Sequence, residues 1–336
     1  MVKAVRVHSL SGKHTVQYED IRVPPPPESH VEIRHTAIVA SSCDQLAKEG
    51  QLPGYSLDWS SLKYPFTLGL SGVGVITEVG SGLLDYQIGQ RVFYVSADEP
   101  GSFSEQRVIC AKQLVPVPEF LTDEQTASII FEGLEAWMLL RRVFPVRKGD
   151  TVLIHEITSG LGSLLGQWAK FLGAIVIGTV ATKDEISKAE KSGFDNVFLY
   201  RNFQENVLKV TNGKGVAAVY SIGGYPITGS FDCIAPNGML VITGGPNNTE
   251  VGEIESSFSV ACPILQDFIG KREDLLAATT ELFSLIKLNT LSVPVKDKYP
   301  LQKAGQALND LARQEVFGSV ILTPPVPDPK DIPHGS

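Results

Sequence analysis

The chain has 336 residues, of which 43% are hydrophobic and 20% charged, and this length and composition suit a globular protein of about two domains. Its net charge of −8 disfavours a general nucleic-acid surface or an anionic-membrane surface. Its four cysteines form no CxxC pair, and the amino terminus lacks the apolar run of a signal peptide, so we expect reduced thiols and a cytoplasmic location.

The first third of the chain is typical of a β-rich domain. Short stretches with strand patterns are separated by turns that contain glycine, and Pro24–Pro27 predicts a stiff polyproline link. Many short strands with turn signals favour a compact, barrel-like domain. The predicted strands are Val2–His8, Val31–Val39, Val73–Val79 and Arg91–Val95.

The middle of the chain alternates between strands and helices. Thr122 and Gln125 have the spacing of a capping box that opens a helix, and Ala127–Phe144 suits one or two helices. The alternation that follows predicts a doubly wound parallel sheet, and therefore an α/β fold class. The predicted strands are Thr151–His155, Ala174–Val180, Val197–Tyr200, Val216–Tyr220 and Met239–Thr243, with helices at Ser163–Phe171 and Asp184–Ser192.

The last part of the chain returns to two helices and one strand. Arg272–Lys287 and Leu301–Arg313 have the pattern of amphipathic helices, and Ser319–Leu322 is predicted as a strand. The proline-rich stretch from about residue 323 predicts a loose tail.

A small-residue turn follows the first strand of the alternating series. Ser159, Gly160, Leu161 and Gly162 connect this strand to a helix, although a strict GxGxxG motif is absent. Backbone N–H groups at such a helix start can bind a pyrophosphate. A plain structural turn is the alternative, and the position within a βαβ series favours the cofactor site.

The end of the second strand predicts the type of dinucleotide. An NAD site usually carries an acidic residue there, whereas this chain has Thr182 and Lys183. A hydroxyl and an ammonium suit the 2′-phosphate of NADP(H), because they donate hydrogen bonds and neutralise charge. The alternative is a solvated helix start that Thr182 caps.

Several segments resemble the zeta-crystallin-like NADPH:quinone oxidoreductases, a zinc-free branch of the medium-chain dehydrogenases/reductases. The resemblance covers nearly the whole chain and weakens between about Ala40 and Tyr64 and in the tail. The segments that carry it are Phe131–Val146, Gly162–Lys170, Gly173–Val180, Glu281–Ile286, Lys298–Leu301 and Gly318–Leu322.

The resemblance implies a GroES-like β-rich catalytic domain built from both ends of the chain and a Rossmann NADPH-binding domain. We expect the first part of the catalytic domain at 1–124, the Rossmann domain at 125–266 and the returning part at 267–336. The family transfers hydride from NADPH to quinones, and its relatives reduce activated C=C bonds. A homodimer or homotetramer is also implied.

The zinc-binding branch of the superfamily provides a contrast. Its Cys-His-x-Asp and Gly-His-Glu runs fall on Ser41-Ser42-Cys43-Asp44 and Gly69-Leu70-Ser71, where the histidines and the glutamate are missing. A catalytic zinc needs three protein ligands and an open position, so we expect an enzyme without metal.

The residues expected near the substrate depart from the family pattern. Asp44 remains, while Ser41 and Leu46 replace the asparagine and the tyrosine that usually surround it. The resemblance implies catalytic roles for Ser41 and Asp44 and a pocket position for Leu46. Tyr55 and Tyr64 lie in a variable stretch, where they can stack on a flat quinone or simply pack the loop.

The cofactor residues also differ from the family. The usual 2′-phosphate lysine falls on Glu185, so Lys183 is expected to substitute for it, and Tyr200 matches a tyrosine near the adenosine. Gly244, which follows the strand Met239–Thr243, is a further expected cofactor contact. Two arginines that assist in relatives fall on Cys262 and Gln314, which predicts weaker NADPH binding.

Two more residues have alternative interpretations. Glu135 stands where the family has a threonine close to the nicotinamide, and it is either a hydrogen-bond partner or proton donor, or a helix-surface carboxylate facing solvent. The rarity of buried glutamate favours the second interpretation. His155, at the end of the first sheet strand, is either an acid/base residue or a structural histidine with satisfied hydrogen bonds, and the structural role is favoured.

Three functions follow from the sequence. The first is a metal-free NADPH-dependent quinone reductase, and the second is an enone or 2-alkenal reductase, which the resemblance cannot separate from it. The third is a non-catalytic crystallin-like structural or RNA-binding protein. The acidic charge argues against RNA, and the retained phosphate turn argues against loss of the enzyme.

Overall fold

A computed structural model describes residues 1–9, 16–48, 62–96, 99–223, 227–243, 257–292, 297–313 and 319–325. The chain divides into two compact units. The first unit takes in the described residues within 1–50, 57–129 and 295–336, and the second takes in those within 130–294.

The first unit is built from short strands and few helices. Its elements in chain order are β1 (Val2–Val7), β2 (Val16–Ile21), β3 (His30–Ser41), α1 (Ser42–Lys48), β4 (Phe66–Thr67), β5 (Ser71–Val79), β6 (Arg91–Val95), β7 (Gln106–Cys110) and β8 (Val115–Pro116). Helix α2 (Asp123–Met138) starts in this unit and ends in the next.

The strand β3 organises the main sheet of the first unit. It pairs antiparallel with β5 and β7, and its side chains alternate between buried and half-buried, so Val31 and Ile33 pack on Ile76 and Val92. A second, three-stranded sheet has the order β2-β1-β4. These largely antiparallel sheets confirm the predicted β-rich domain.

The second unit alternates strands and helices. A π-helical turn at Leu139–Val143 follows α2. The next elements are β9 (Thr151–His155), α3 (Gly160–Phe171), β10 (Ile175–Val180), α4 (Lys183–Lys191), β11 (Asn196–Leu199), α5 (Phe203–Val210), β12 (Val216–Ile222), α6 (Ile227–Phe231), β13 (Ile234–Thr243), β14 (Ser259–Ala261), α7 (Leu265–Ile269) and α8 (Arg272–Lys287).

The sheet of the second unit is parallel throughout, with the order β11-β10-β9-β12-β13-β14. Numbered by chain position, this is the 3-2-1-4-5-6 order of a dinucleotide-binding fold. Leu153, Val219 and Leu240 are fully buried in the sheet core. Because the strands are parallel, their carboxyl ends lie along one edge, where ligands bind in such sheets. The predicted doubly wound α/β fold is confirmed.

After residue 294 the chain returns to the first unit. The elements there are β15 (Lys298–Pro300), α9 (Ala304–Ala312) and β16 (Ser319–Thr323), and β16 pairs antiparallel with β3. The helix predicted at Leu301–Arg313 begins with a 3-10 turn over Leu301–Lys303 and becomes α-helical only at Ala304.

Helix α8 lies in the second unit, whereas the expected boundary at 267 assigned it to the returning segment. Tertiary contacts explain the difference. Leu282 packs so closely on Gly133 that a Cβ there would lie 2.7 Å from it. Glu281 accepts hydrogen bonds from Trp137 Nε1 at 3.1 Å and from Arg141 Nε at 3.0 Å. Within the described residues, no helix has the length and apolarity needed to cross a bilayer.

Candidate active site

The turn between β9 and α3 has the geometry of a phosphate-binding turn. Ser159 is the N-cap of α3, and its Oγ accepts a hydrogen bond from Gly162 N at 3.0 Å. A Cβ on Gly162 would lie 2.1 Å from the carbonyl oxygen of Glu156, so this position requires glycine. Leu161 is buried beneath the turn. The turn therefore presents the amino end of α3, which suits an anionic group.

A buried carboxylate lies against the same helix start. Glu132, on α2, is only 7% exposed, and its carboxylate oxygens lie 2.5 Å and 2.6 Å from the place that a Cβ on Gly160 would occupy. The positive end of the α3 dipole stabilises a negative charge there. Gly160 is thus required for the close approach of Glu132 to the start of α3.

The end of the second sheet strand carries a capping box. Thr182 is the N-cap of α4, and Glu185 N donates to its Oγ at 3.3 Å. In return, Glu185 Oε2 accepts from Thr182 N at 2.8 Å. Thr182 therefore caps a helix, as the alternative interpretation held, and its contact with a cofactor stays a prediction. Lys183, the first residue of α4, is exposed.

Tyr200 follows β11 and is hydrogen-bonded to Glu156 at the end of β9. Its hydroxyl donates to Glu156 Oε1 and accepts from Glu156 N at 3.1 Å. Glu156 adopts a φ of 55°, which is unusual for a residue with a side chain. Burial raises the pKa of Tyr200, and the neighbouring Glu156 carboxylate raises it further. Tyr200 is therefore a neutral residue whose proton is held by Glu156.

Glu135 belongs to α2, and its side chain lies at the carboxyl end of β13. It is half-buried, and its carboxylate accepts a hydrogen bond from Thr243 Oγ. Burial raises the pKa of Glu135 to about 7; the Thr243 hydrogen bond opposes this shift, and the charge of Glu132 adds to it. The favoured interpretation of a carboxylate facing solvent is wrong, because α2 turns this side chain toward the sheet edge.

His155 is fully buried and uses both ring nitrogens. Nδ1 lies 2.6 Å from Thr179 Oγ, and Nε2 lies 2.8 Å from Ser230 Oγ. Phe203 meets the ring edge-on at 5.1 Å between centroids. Burial lowers the pKa of His155 to about 3, so the ring is neutral. These contacts agree with the structural role that was favoured from the sequence.

In the first unit, Asp44 and Ser41 form one hydrogen-bonded pair. Asp44 Oδ2 accepts from Ser41 N at 2.8 Å and from Ser41 Oγ at 3.0 Å, which is the reciprocal half of a capping box at the start of α1. Asp44 is 3% exposed, and its Oδ1 is buried with no hydrogen-bond partner among the described residues. Burial raises the pKa of Asp44 to about 6, and the hydrogen bonds from Ser41 oppose this shift.

The other predicted substrate residues have fewer contacts. Leu46 is half-buried on α1. Tyr64 is 41% exposed, and its ring lies 5.5 Å from that of Phe66. Tyr55, together with the expected cofactor residues Gly244 and Gln314, lies outside the described residues.

The donor set does not fit a zinc ion. Across the described ranges, no three histidine, cysteine, aspartate or glutamate side chains converge to hold a metal. Cys43 is half-buried at the start of α1, beside the buried Asp44, and Gly69 stands at a φ of 94°, where a side chain is strained. The stretches that would carry zinc ligands are therefore used for a helix start and a tight turn.

Sequence reasoning missed Glu132, Glu156 and Thr243. The signal for Glu132 was its spacing of three residues from Glu135, which places both carboxylates on one face of a helix. Thr243 was recognised only as the end of a strand. No sequence signal marked Glu156, because a glutamate with positive φ is uncommon.

Two family profiles match the chain. The family described as "Zinc-binding dehydrogenase" matches residues 160–279, and the "Alcohol dehydrogenase GroES-like domain" matches residues 26–119. Together these matches cover parts of both compact units.

The chain is similar along almost its whole length to characterised oxidoreductases. It is 30% identical to a quinone oxidoreductase of Pseudomonas aeruginosa, over 96% of this chain and all of that protein. It is 31% identical to a 2-haloacrylate reductase of a Burkholderia species, over 96% of this chain and 99% of that protein. The solved structure of Escherichia coli quinone oxidoreductase complexed with NADPH covers 96% of this chain, with a TM-score of 0.86 at 30% identity.

Proposed function

Because the chain belongs to the zinc-free quinone oxidoreductases of the medium-chain dehydrogenase/reductase superfamily, we propose that it reduces quinones with NADPH. The observation that carries this proposal is the glycine turn between β9 and α3. Strand β9 is central in a parallel sheet with the order 3-2-1-4-5-6, and the turn lies at its carboxyl end. The quinone acceptor is supported by the full-length likeness to quinone oxidoreductases.

The described residues fit a dinucleotide at the carboxyl edge of the sheet. Gly162 leaves no room for a side chain, and the start of α3 presents backbone N–H groups that suit a pyrophosphate. The residues that would hold the cofactor are Ser159, Gly160, Leu161, Gly162, Thr182, Lys183, Tyr200 and Gly244. When bound, NADPH supplies the hydride, and the protein supplies position and electrostatics.

Glu135 is proposed to hold a proton beside the nicotinamide. Its pKa of about 7 keeps part of the population protonated at neutral pH, as suits a group that exchanges a proton. Asp44 and Ser41 are proposed on the substrate side, with Leu46, Tyr55 and Tyr64 as pocket residues. Support for Asp44 comes from its partnerless Oδ1, which can accept a hydrogen bond from a substrate or, when protonated, donate one.

A second candidate function is the reduction of activated C=C bonds. The likeness to a 2-haloacrylate reductase favours it, since that relative is as similar over the same length as the quinone oxidoreductase. Quinones and enones are both electron-poor hydride acceptors and need no Lewis acid. Only a direct comparison of acceptors separates the two functions.

The test is NADPH oxidation, followed by its near-ultraviolet absorbance, against 1,2- and 1,4-quinones, enones and alkenals. We expect turnover of quinones, and turnover of enones alone would transfer the assignment to C=C reduction. Gly162→Ala should strongly lower turnover at limiting NADPH, because its Cβ would collide with the Glu156 carbonyl. Gly305→Ala is the matched control, since a Cβ there meets nothing within 4 Å. If the protein neither turns over any acceptor nor binds NADPH, the proposal that it is an NADPH-dependent reductase is refuted.

We also propose that the protein is a cytoplasmic homodimer or homotetramer. None of the four cysteines forms a disulfide, which suits a reducing compartment. Among the described residues, β14 is the last strand of its sheet, and Val260 on it is 36% exposed, so this strand can pair with another copy of the chain. Light scattering coupled to size-exclusion chromatography tests the oligomer, and a monomeric mass would contradict this proposal.

A further inference from the structure

A fixed carboxylate lies where the second strand of the parallel sheet ends. Glu185 Oε2 accepts from Thr182 N at 2.8 Å and from Thr182 Oγ at 2.9 Å, and Thr182 stands two residues after the end of β10. Two donors on a single oxygen hold the carboxylate at the carboxyl edge of the sheet. Oε1 takes part in neither bond, so it can accept a further donor.

This position determines how a dinucleotide is recognised. In parallel sheets of this order, an acidic residue at the end of the second strand hydrogen-bonds the ribose 2′-hydroxyl of NAD. The same carboxylate repels a 2′-phosphate, which carries a charge of about −1.5 to −2 at neutral pH. Glu185 can therefore accept a hydrogen bond from the ribose 2′-hydroxyl, as the acidic residue of an NAD site does. Its carboxylate reaches the end of β10 from the first turn of α4.

The surrounding charges do not compensate for Glu185. A second carboxylate, Glu156, lies at the neighbouring strand end, and its partner Tyr200 is a neutral phenol. Among the described residues, Lys183 and Arg201 follow Thr182 and Tyr200 in the chain, and both cations are exposed. Asp184, in the first turn of α4, is a third carboxylate. Three carboxylates and two exposed cations leave no excess of positive charge among the described residues here, whereas a 2′-phosphate is best bound by a clear excess of positive charge.

We infer that Glu185 is a specificity-determining residue that accepts the ribose 2′-hydroxyl of NADH, so that NADH serves this chain as a second cofactor beside NADPH. The inference rests on the proposed function, because it concerns the same dinucleotide site. It goes further by assigning the choice between the two cofactors to one side chain.

The experiment measures the dissociation constants of NADPH and NADH by calorimetry on the full chain. For the wild type we expect the two constants to lie within about tenfold of each other, because a single exposed charge contact changes affinity by roughly that much. Glu185→Gln keeps a side chain that can complete the capping box and removes the charge, and it should shift the ratio toward NADPH by about fivefold. Glu185→Lys should shift it by more than about tenfold.

Glu190→Lys is the matched control, because it makes the same charge change on an exposed position of the same helix, away from the strand end. It should change the ratio by less than about twofold. The inference is overturned if NADPH binds and the Glu185 variants leave the ratio unchanged, or if the wild type prefers NADPH by more than about a hundredfold. Either of these results leaves the proposed function intact. If neither cofactor binds, the proposed function and the inference both fail.

Discussion

Replacement of Glu135 by glutamine should change how stability depends on pH. Burial raises the pKa of Glu135 from an ordinary 4.5 to about 7, against the opposing Thr243 hydrogen bond and with a smaller contribution from Glu132. The folded protein therefore holds a proton on Glu135 at pH values where the unfolded chain has released it. Glutamine has nearly the same shape, can still accept from Thr243, and cannot ionise.

The sign and size of the effect follow from the shift. Because the folded pKa is the higher one, the stabilisation is fully present below about pH 4.5 and is lost as the pH rises through about 7. Each pKa unit of difference between the folded and unfolded states corresponds to about 1.4 kcal/mol. The resulting loss in the free energy of unfolding therefore has an upper value of about 3 kcal/mol. Glu135→Gln should match the wild type within about 1 kcal/mol at pH 5 and exceed it by up to about 3 kcal/mol at pH 8.

Urea unfolding followed by circular dichroism at pH 5 and pH 8 measures this difference. Glu190→Gln provides the control, since it removes an exposed carboxylate from the same unit and should change stability by less than about 0.5 kcal/mol at either pH. The reasoning is refuted if Glu135→Gln is no more stabilising at pH 8 than at pH 5. A stabilisation of equal size at both pH values would point to packing rather than to the charge.

Three further predictions concern individual contacts. Gly162→Ala should lower the NADPH affinity more than tenfold and destabilise the protein by about 1–3 kcal/mol, as measured by calorimetry and thermal unfolding, because its Cβ would lie 2.1 Å from the Glu156 carbonyl. At pH 4, below the raised Asp44 pKa of about 6, Asp44→Ala should cost about 1 kcal/mol of stability, because α1 loses its capping contact with Ser41, and unchanged thermal unfolding would contradict this. His155→Phe should cost about 2–4 kcal/mol, because two buried hydroxyls each lose a hydrogen bond to the ring. Since the pKa of His155 is lowered to about 3, its contribution is present above about pH 6.5 and fades as the pH falls, so urea titrations of wild type and variant should converge in acid.

The elements that the sequence predicted well are those with local causes. Arg91–Val95 and Thr151–His155 are strands with the predicted bounds. The capping box at α2 forms as expected, with Thr122 N donating to Gln125 Oε1 at 2.9 Å and Gln125 N donating to Thr122 Oγ at 3.1 Å. Caps and alternation depend on neighbours within a few residues, so a single sequence contains the information that they need.

The parts that the sequence could not provide depend on distant partners. Glu135 was interpreted as facing solvent because glutamate is rarely buried, and only the pairing with Thr243, far along the chain, changes that conclusion. The placement of α8 similarly depends on Leu282 meeting Gly133. A pattern along one helix shows which face is apolar, but it does not show which element covers that face.

Most of the acids at the carboxyl edge of the parallel sheet are likewise held by distant partners, whereas Glu185 is held by Thr182, only three residues away. Four glutamates lie along this edge, and each is held by a partner in the second unit: Glu132 by the start of α3, Glu135 by Thr243, Glu156 by Tyr200 and Glu185 by Thr182. Glu135, Glu156 and Glu185 cannot turn away from this edge without losing the hydrogen bonds to these partners. With these acids at the edge, we expect the backbone N–H groups at the start of α3 to contribute much of the affinity for an anionic dinucleotide. Under the inferred role of Glu185, this arrangement narrows the preference for NADPH over NADH, so that one side chain in the first turn of α4 can shift the choice between the two cofactors.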